Sequence, residues 1–118
     1  MVAICYHVVV GPHYDPELVA NLADREDTRA ITIVASDGCA SIGLTNEDVW
    51  SILGDLTGPS CRFYKTMQSD QRPEDILDVY DVWVDNTPIY LKFKIIQTHD
   101  GTRQIVVVLS FKRNEHFA

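Results

Sequence analysis

Lysine and tyrosine side chains recur at short spacings on apolar segments in the second half of the chain. Tyr90, Lys92 and Lys94 lie in IYLKFK, and Lys112 lies in LSFKR. Ammonium groups can stabilise charge on phosphate oxygens, and a phenol can position the phosphate or transfer a proton. Two interpretations are open: a surface that binds phosphate, or a solvated face whose lysines give solubility and protect a sheet edge. The spacing alone does not separate them.

The pairing of the last two predicted strands decides which of these side chains share a face. The segments IYLKFKIIQ and RQIVVVLSFK are joined by THDGT, which is typical of a hairpin. A two-residue Asp-Gly loop would place Phe93 opposite Val108. A loop one residue longer slips the pairing by one residue, and this slip exchanges the two faces of the strand. We expect the slipped register, because it gives a continuous apolar side in which Leu91 faces Phe111, Phe93 faces Leu109 and Ile95 faces Val107. The other side then pairs Tyr90 with Lys112, Lys92 with Ser110 and Lys94 with Val108.

Other kinds of catalytic or metal site find little support. The three cysteines, Cys5, Cys39 and Cys61, are widely spaced without a C-x-x-C motif, which is typical of buried thiols in a reducing compartment. The histidines are scattered, and Asp78 and Asp81 are expected to point to opposite faces of a strand. The sequence therefore predicts no metal site and no cofactor.

The charge of the chain is unevenly distributed. The 118 residues carry a net charge of -7, which argues against general nucleic-acid binding and against binding DNA by itself. Residues 1–61 contain two cations, Arg25 and Arg29, against nine acidic side chains, whereas residues 62–118 contain eight of each sign. Any surface that binds an anion is therefore expected in the second half.

The order of predicted elements indicates an α+β fold. Helices are expected at residues 15–25 and 46–56, a strand at 30–34, and a short helix or turn at 36–43. The remainder predicts strands, beginning with residues 62–67, and residues 1–10 predict an extra N-terminal strand rather than a signal peptide. Trp50 and Trp83 are interpreted as core or sheet-packing residues rather than as platforms on which bases stack. We expect a single domain over residues 1–118, with two or three N-terminal helices on a small antiparallel or mixed sheet and no membrane segment.

Five segments, taken in order, resemble a known family. They are VASDGCASIGLTNEDVWSILGDLT, FYKTM, DVY, IYLKF and VVVLSFKRN, all within residues 34–114. Pro12-His13-Tyr14 is similar as well, so the resemblance covers about residues 12–114. Their order and spacing are similar to those of the MqsR (motility quorum-sensing regulator) toxins of bacterial toxin–antitoxin systems. The resemblance implies a fold similar to RelE-type bacterial RNases. It also implies a cytoplasmic, metal-free endoribonuclease that cleaves mRNA without the ribosome and is inhibited by a cognate protein antitoxin.

The resemblance also implies the roles of individual residues. The catalytic positions correspond to Lys65, Tyr90 and Lys112. Tyr64 and Met67 match positions that contact substrate, and the neighbouring cations Lys92 and Arg113 are expected to bind the substrate as well.

The chain departs from the family pattern at one position that matters for chemistry. Where the family has Trp-Gln before Asp-Val-Tyr, this chain has Ile76-Leu77. Leucine cannot donate the hydrogen bond that a glutamine offers to a phosphate. The alternative interpretation is therefore a catalytically impaired, protein-binding module of the same fold.

Overall fold

Three short helices form the first half of the protein. The computed structural model describes residues 11–115, so the strand predicted for residues 1–10 lies outside it. The helices are α1 (Pro16–Ala23), α2 (Ile33–Ser41) and α3 (Asn46–Leu53), with a 3₁₀ helix at Glu26–Thr28. Asp15, Thr32 and Thr45 begin the three helices, because each side chain accepts a hydrogen bond from a first-turn backbone N–H. No helix within residues 11–115 is long and apolar enough to cross a bilayer.

The structure corrects the prediction made for residues 30–34. The strand there is β1 (Arg29–Ile31), and α2 already begins at Ile33. Thr32 ends the strand, because its hydroxyl accepts a hydrogen bond from the backbone N–H of Ala35 at 3.1 Å. Ile33 and Val34 consequently lie on the first turn of a helix, 79% and 74% exposed.

The second half forms most of a five-stranded mixed sheet. Its remaining strands are β2 (Cys61–Gln68), β3 (Ile76–Val84), β4 (Thr87–Gln97) and β5 (Gln104–Arg113). The order across the sheet is β1-β5-β4-β3-β2, with β1 parallel to β5 and the other neighbours antiparallel. Asp85 and Asn86 form the tight turn between β3 and β4 with φ values of 49° and 69°. The predicted α+β fold is confirmed.

The hairpin of β4 and β5 contains both of the registers considered from the sequence. Tyr90 pairs with Lys112 as predicted, but a β-bulge follows between Lys92 and Phe93. Beyond the bulge Phe93 pairs with Val108 and Lys94 with Val107, so the pairs predicted there are wrong. The three wrong pairs are Phe93 with Leu109, Ile95 with Val107, and Lys94 with Val108.

The bulge has a clear cause in the burial pattern of β5. Val106, Val108 and Phe111 are all buried, with exposures of 0%, 0% and 1%. Because side chains alternate along a strand, Val108 and Phe111 can share a face only if one extra residue lies between them. Leu109 has no partner in the pairing of β4 and β5 and supplies that extra residue. In the single register expected from the sequence, Val108 and Phe111 would have pointed to opposite faces of the sheet, and only one of them could have joined the core.

The helices cover one face of the sheet and form the core with it. Val19, Val49 and Leu53 of the helices are fully buried against Phe93 and Phe111 of the sheet. The opposite face of β2 to β5 is not covered by a helix of the described chain, because these helices contribute to the one core cluster. Side chains on the opposite face of β2 to β5 therefore do not pack against the described helices.

Gly38 allows α2 to lie close to β5. A Cβ at this position would lie 2.3 Å from the carbonyl oxygen of Phe111. We expect Gly38→Ala to lower the free energy of unfolding by about 2 kcal/mol, because overpacking outweighs the higher helix propensity of alanine. Urea denaturation is the measurement, with Gly54→Ala as control, since a Cβ there meets its nearest neighbour at 3.4 Å. Equal stabilities of the two variants would contradict the prediction.

Candidate functional site

Two rows of side chains cross the sheet face that the helices leave uncovered. One row runs Arg62–Asp81–Tyr90–Lys112, and the next runs Lys65–Val79–Lys92–Ser110, each member lying opposite the next on the neighbouring strand. Directly paired residues of antiparallel strands point to the same side, and their neighbours Leu91 and Phe111 point into the core. We refer to Arg62, Lys65, Tyr90, Lys92 and Lys112 as the basic face.

Tyr90 and Lys112 lie directly opposite each other on the basic face. The Lys112 Nζ lies 5.5 Å from the centre of the Tyr90 ring, which places a cation against its π-system. Burial, and secondarily the nearby Tyr64 phenol, raises the pKa of Tyr90 above its ordinary value of 10.0. At neutral pH the phenol therefore keeps its proton and can donate a hydrogen bond. Both residues line a cavity of about 250 Å³, together with Arg113, Asn114 and Glu115.

A second β-bulge presents Tyr64 and Lys65 together. The pairing of β2 with β3 shifts between Phe63 and Lys65, leaving Tyr64 as the extra residue. Lys65 Nζ lies 5.2 Å from the centre of the Tyr64 ring. Tyr64 is 51% exposed, one of three exposed large hydrophobic residues within residues 11–115. The bulge was not predicted, but it places an exposed aromatic ring and a cation side by side.

The predicted catalytic residues Lys65, Tyr90 and Lys112 lie on one face of the sheet, but Lys65 lies on a strand far from the other two. Lys65 lies on β2 and Lys112 on β5, which are separated by three strand spacings, roughly 14 Å. Lys92 lies between them on β4. The cations therefore form a strip across the sheet, and such a strip is suited to an extended polyanion.

Lys94 and Arg113 add less positive charge to the basic face than the sequence predicted. Lys94 was expected on the same sheet face as Tyr90, but its Nζ forms an ion pair with Asp75 at 2.6 Å. The Lys94 hydrogen bond holds the pKa of Asp75 below its ordinary value, so this carboxylate stays ionised at neutral pH. Arg113 pairs with the core residue Ile89, so its side chain leaves β5 on the face opposite to Tyr90. It nevertheless lines the rim of the cavity beside Tyr90.

Leu77 belongs to an apolar floor beneath the lysines. It pairs with Met67 of β2, and it is 4% exposed. Val79, the next residue on the same side of β3, is fully buried, yet neither residue belongs to the main core cluster. A buried leucine at this position offers no hydrogen-bond donor or acceptor to a ligand above it.

Asp81 is a polar member of this face that the sequence reasoning set aside. Its carboxylate accepts hydrogen bonds from Arg62 and from the Asn114 amide, each at 3.1 Å, and it is 4% exposed. Asp78 points to the other side of β3, as predicted, where it contacts Thr66. The unusual aspartates within the apolar run DVYDVWV were a signal of buried polar contacts, but their partners depend on strand register.

The thiols of Cys39 and Cys61 are not activated. Burial raises the pKa of Cys39, and it raises that of Cys61 to about 11, so both remain protonated at neutral pH. Cys5 lies outside the described residues. Within residues 11–115, no three His, Cys, Asp or Glu side chains are grouped so that they could hold a metal ion.

The chain was compared with known proteins. A family model described as the motility quorum-sensing regulator, toxin of MqsA, matches residues 11–113. No curated protein gives a significant match. The matched segment contains all the described helices and strands, including the whole basic face. The resemblance drawn from the five short segments is thus confirmed, and the chain belongs to the MqsR toxin family.

Proposed function

We propose that this protein is an endoribonuclease toxin that cleaves mRNA in the cytoplasm without the ribosome and without a metal ion. Toxins of the MqsR family are RNases. The observation that carries the proposal is the basic face, where Tyr90 and Lys112 stand side by side within a strip of cations. An exposed row of ammonium groups can bind an RNA backbone, and the phenol beside it can contact the reacting phosphate.

The reaction proposed for this face is an internal phosphoryl transfer. The ribose 2′-oxygen attacks the adjacent phosphorus in line, the bond from phosphorus to the 5′-oxygen breaks, and a 2′,3′-cyclic phosphate forms. The proton lost by the 2′-hydroxyl ends on the departing 5′-oxygen. Lys112 and Lys65 stabilise charge on the non-bridging oxygens, and Tyr90 donates a hydrogen bond that positions the phosphate.

The remaining residues of the face bind the rest of the RNA in this proposal. Lys92 lies between Lys65 and the Tyr90–Lys112 pair, so it contacts the backbone along the strip. Tyr64 offers an exposed ring to a base, Met67 contributes an apolar edge, and Arg113 binds at the rim of the cavity. The acidic side chains of residues 1–61 lie mainly on the helical layer and its loops, so RNA approaches from the sheet side.

A protein antitoxin is the second partner in this proposal. The family description names these proteins as toxins of MqsA, which implies a protein antitoxin for this chain. The alternative is a catalytically impaired module that retains only protein binding. Leu77 is the observation that favours it, because a buried leucine occupies the position of the family glutamine.

Incubation of the purified protein with labelled RNA in excess EDTA tests the proposal. The expected result is discrete cleavage that leaves 2′,3′-cyclic phosphate ends. The same RNA carrying 2′-O-methyl groups is the control, because it lacks the attacking hydroxyl and should remain intact. Cleavage of both RNAs, or cleavage only after a divalent cation is added, would contradict the mechanism. Intact RNA with folded protein would favour the protein-binding alternative.

A further inference from the structure

Asp75 and Lys94 form an ion pair beside the basic face. The Lys94 Nζ lies 2.6 Å from an Asp75 carboxylate oxygen, and the two side chains are only 18% and 16% exposed. Two opposite charges this close largely offset each other for any third charge nearby. Arg72 lies 3.6 Å from the same oxygen but also pairs with Glu74 at 3.3 Å, so these two add one charge of each sign. The cluster therefore presents little net positive charge.

Lys94 lies on the same side of β4 as Lys92 of the basic face. Leu91 and Phe93, which alternate with these lysines, are fully buried in the core. The extra residue of the nearby bulge belongs to β5, so the alternation of side chains along β4 is unbroken. Lys94 follows Lys92 by two residues, roughly 7 Å along the strand. It would extend the cations of the basic face along β4 if Asp75 did not neutralise it.

Two paths for an extended polyanion therefore meet at Lys92. One crosses the strands from Lys112 through Lys92 to Lys65. The other follows β4 from Lys92 to Lys94. Within residues 11–115, Lys65, Lys92 and Lys112 form no ion pair, whereas Lys94 is paired with Asp75. A polyanion is attracted most by cations that lack a carboxylate partner, so the charges favour the path across the strands.

We propose that Asp75 sets the course of bound RNA by neutralising Lys94, so that the backbone crosses the strands towards Lys65 instead of following β4. The inference rests on the proposed function, since the polyanion is the RNA that reacts at Tyr90 and Lys112. Asp75 acts through Lys94 and is a positioning residue, not one that contacts the substrate. The loop before β3 thereby restrains RNA binding, and removal of its one carboxylate charge should strengthen binding.

Binding of a mixed-sequence 2′-O-methyl RNA oligonucleotide, which lacks the attacking hydroxyl, tests this inference. We expect Asp75→Asn to bind about fivefold more tightly at low salt, and its log affinity to fall more steeply with log salt by about 0.7, as one further phosphate contact would cause. Asparagine keeps an oxygen acceptor for Lys94, so the loop should stay in place. Asp70→Asn is the matched control and should change binding far less, because Asp70 is an exposed aspartate of the same loop without an ion pair to residues 11–115.

A double variant shows whether the gain depends on Lys94. Asp75→Asn combined with Lys94→Met removes both charges and keeps the net charge of the chain, so it should bind like the wild type. A double variant that binds as tightly as Asp75→Asn would overturn the inference, because the gain would not require Lys94. A double variant that binds much more weakly than the wild type would also overturn it, because Lys94 would already contribute. Unchanged affinity of Asp75→Asn itself is the third contrary result.

Two further comparisons separate this inference from effects on the fold and from the proposed function. Thermal unfolding midpoints should be similar for all variants, and Asp75→Ser, which also keeps an oxygen acceptor, replaces Asp75→Asn if that variant does not fold. If the wild type binds the modified RNA and cleaves unmodified RNA, but loss of the Asp75 charge gives no gain, the inference alone fails. If the wild type neither binds nor cleaves RNA, the proposed function fails and the inference fails with it.

Discussion

Lys112→Ala is expected to reduce RNA cleavage in EDTA by about 100-fold or more. Removal of one preorganised donor to a developing oxyanion typically has an effect of about 100- to 1,000-fold on the rate. Lys112 is exposed at the end of β5 and contacts the ring of Tyr90, so its removal leaves the core intact. Initial rates with saturating labelled RNA are the measurement, and thermal unfolding should show an unchanged midpoint.

Arg25→Ala is the matched control for this variant. Arg25 is an exposed cation, 68% accessible in its side chain, and it lies outside the basic face near the end of α1. Loss of this charge lowers general attraction for RNA by the same single unit without touching Tyr90. A similar loss of activity in both variants would mean that Lys112 acts only through overall charge, contrary to the prediction.

Lys112→Arg then distinguishes charge stabilisation from proton transfer. Arginine retains the positive charge, but its guanidinium does not give up a proton in proteins. If Lys112 only stabilises the phosphate oxygens, as proposed, Lys112→Arg should recover much of the rate lost in Lys112→Ala. Persistent inactivity in a folded Lys112→Arg variant would contradict a purely electrostatic role and assign a proton-transfer step to the ammonium group.

Asp78→Ala is expected to have the largest effect on stability, a loss of about 3–5 kcal/mol in the free energy of unfolding. The Asp78 side chain is fully buried, and its carboxyl oxygens accept three hydrogen bonds. The donors are the backbone N–H groups of His13 and Tyr14 at 3.1 and 2.8 Å, and the Thr66 hydroxyl at 2.6 Å. Alanine leaves these three donors without their acceptor. It also removes the two hydrogen bonds that His13 and Tyr14, before α1, donate to β3 from their backbone.

Urea denaturation of Asp78→Ala beside Asp37→Ala measures the effect. Asp37 is an exposed aspartate in α2, so its removal controls for the loss of one acidic side chain. Asp78→Asn should lie between Asp78→Ala and the wild type, because its amide keeps one acceptor oxygen but turns an NH₂ group towards a donor. Equal stability of Asp78→Ala and Asp37→Ala would show that the buried Asp78 carboxyl does not stabilise the fold.

Local sequence signals accounted for most elements of the fold. Pro16 after Asp15, and Thr45 with Asp48, marked the starts of α1 and α3, because these side chains satisfy backbone groups of their own first turn. The prediction failed at Ile33 and Val34, whose β-branched side chains favour a strand. There the cap at Thr32 prevailed over local propensity, and α2 packs through Ala35 and Cys39 instead.

The candidate site could be predicted only in part from the sequence. The pairing of Tyr90 with Lys112 followed from the alternation of apolar residues along a hairpin, because neighbouring strands leave few registers. The contact of Arg62 with Asp81 joins residues 19 positions apart, and that of Asn114 with Asp81 joins residues 33 apart. No local pattern encodes such contacts, since they depend on the register of β3 with β2 and on where β5 ends.

The sequence by itself determined the kinds of groups available and the order of the elements that carry them. It placed Lys65, Tyr90 and Lys112 on strands, and its motifs indicated the MqsR toxin family. The tertiary structure decided how those groups share a surface. It inserted bulges at Tyr64 and Leu109, and in β5 the extra residue is what lets Val108 and Phe111 share the core face. It thereby set Lys65 and Lys112 three strands apart on one face, a relation fixed by long-range pairing rather than by local spacing.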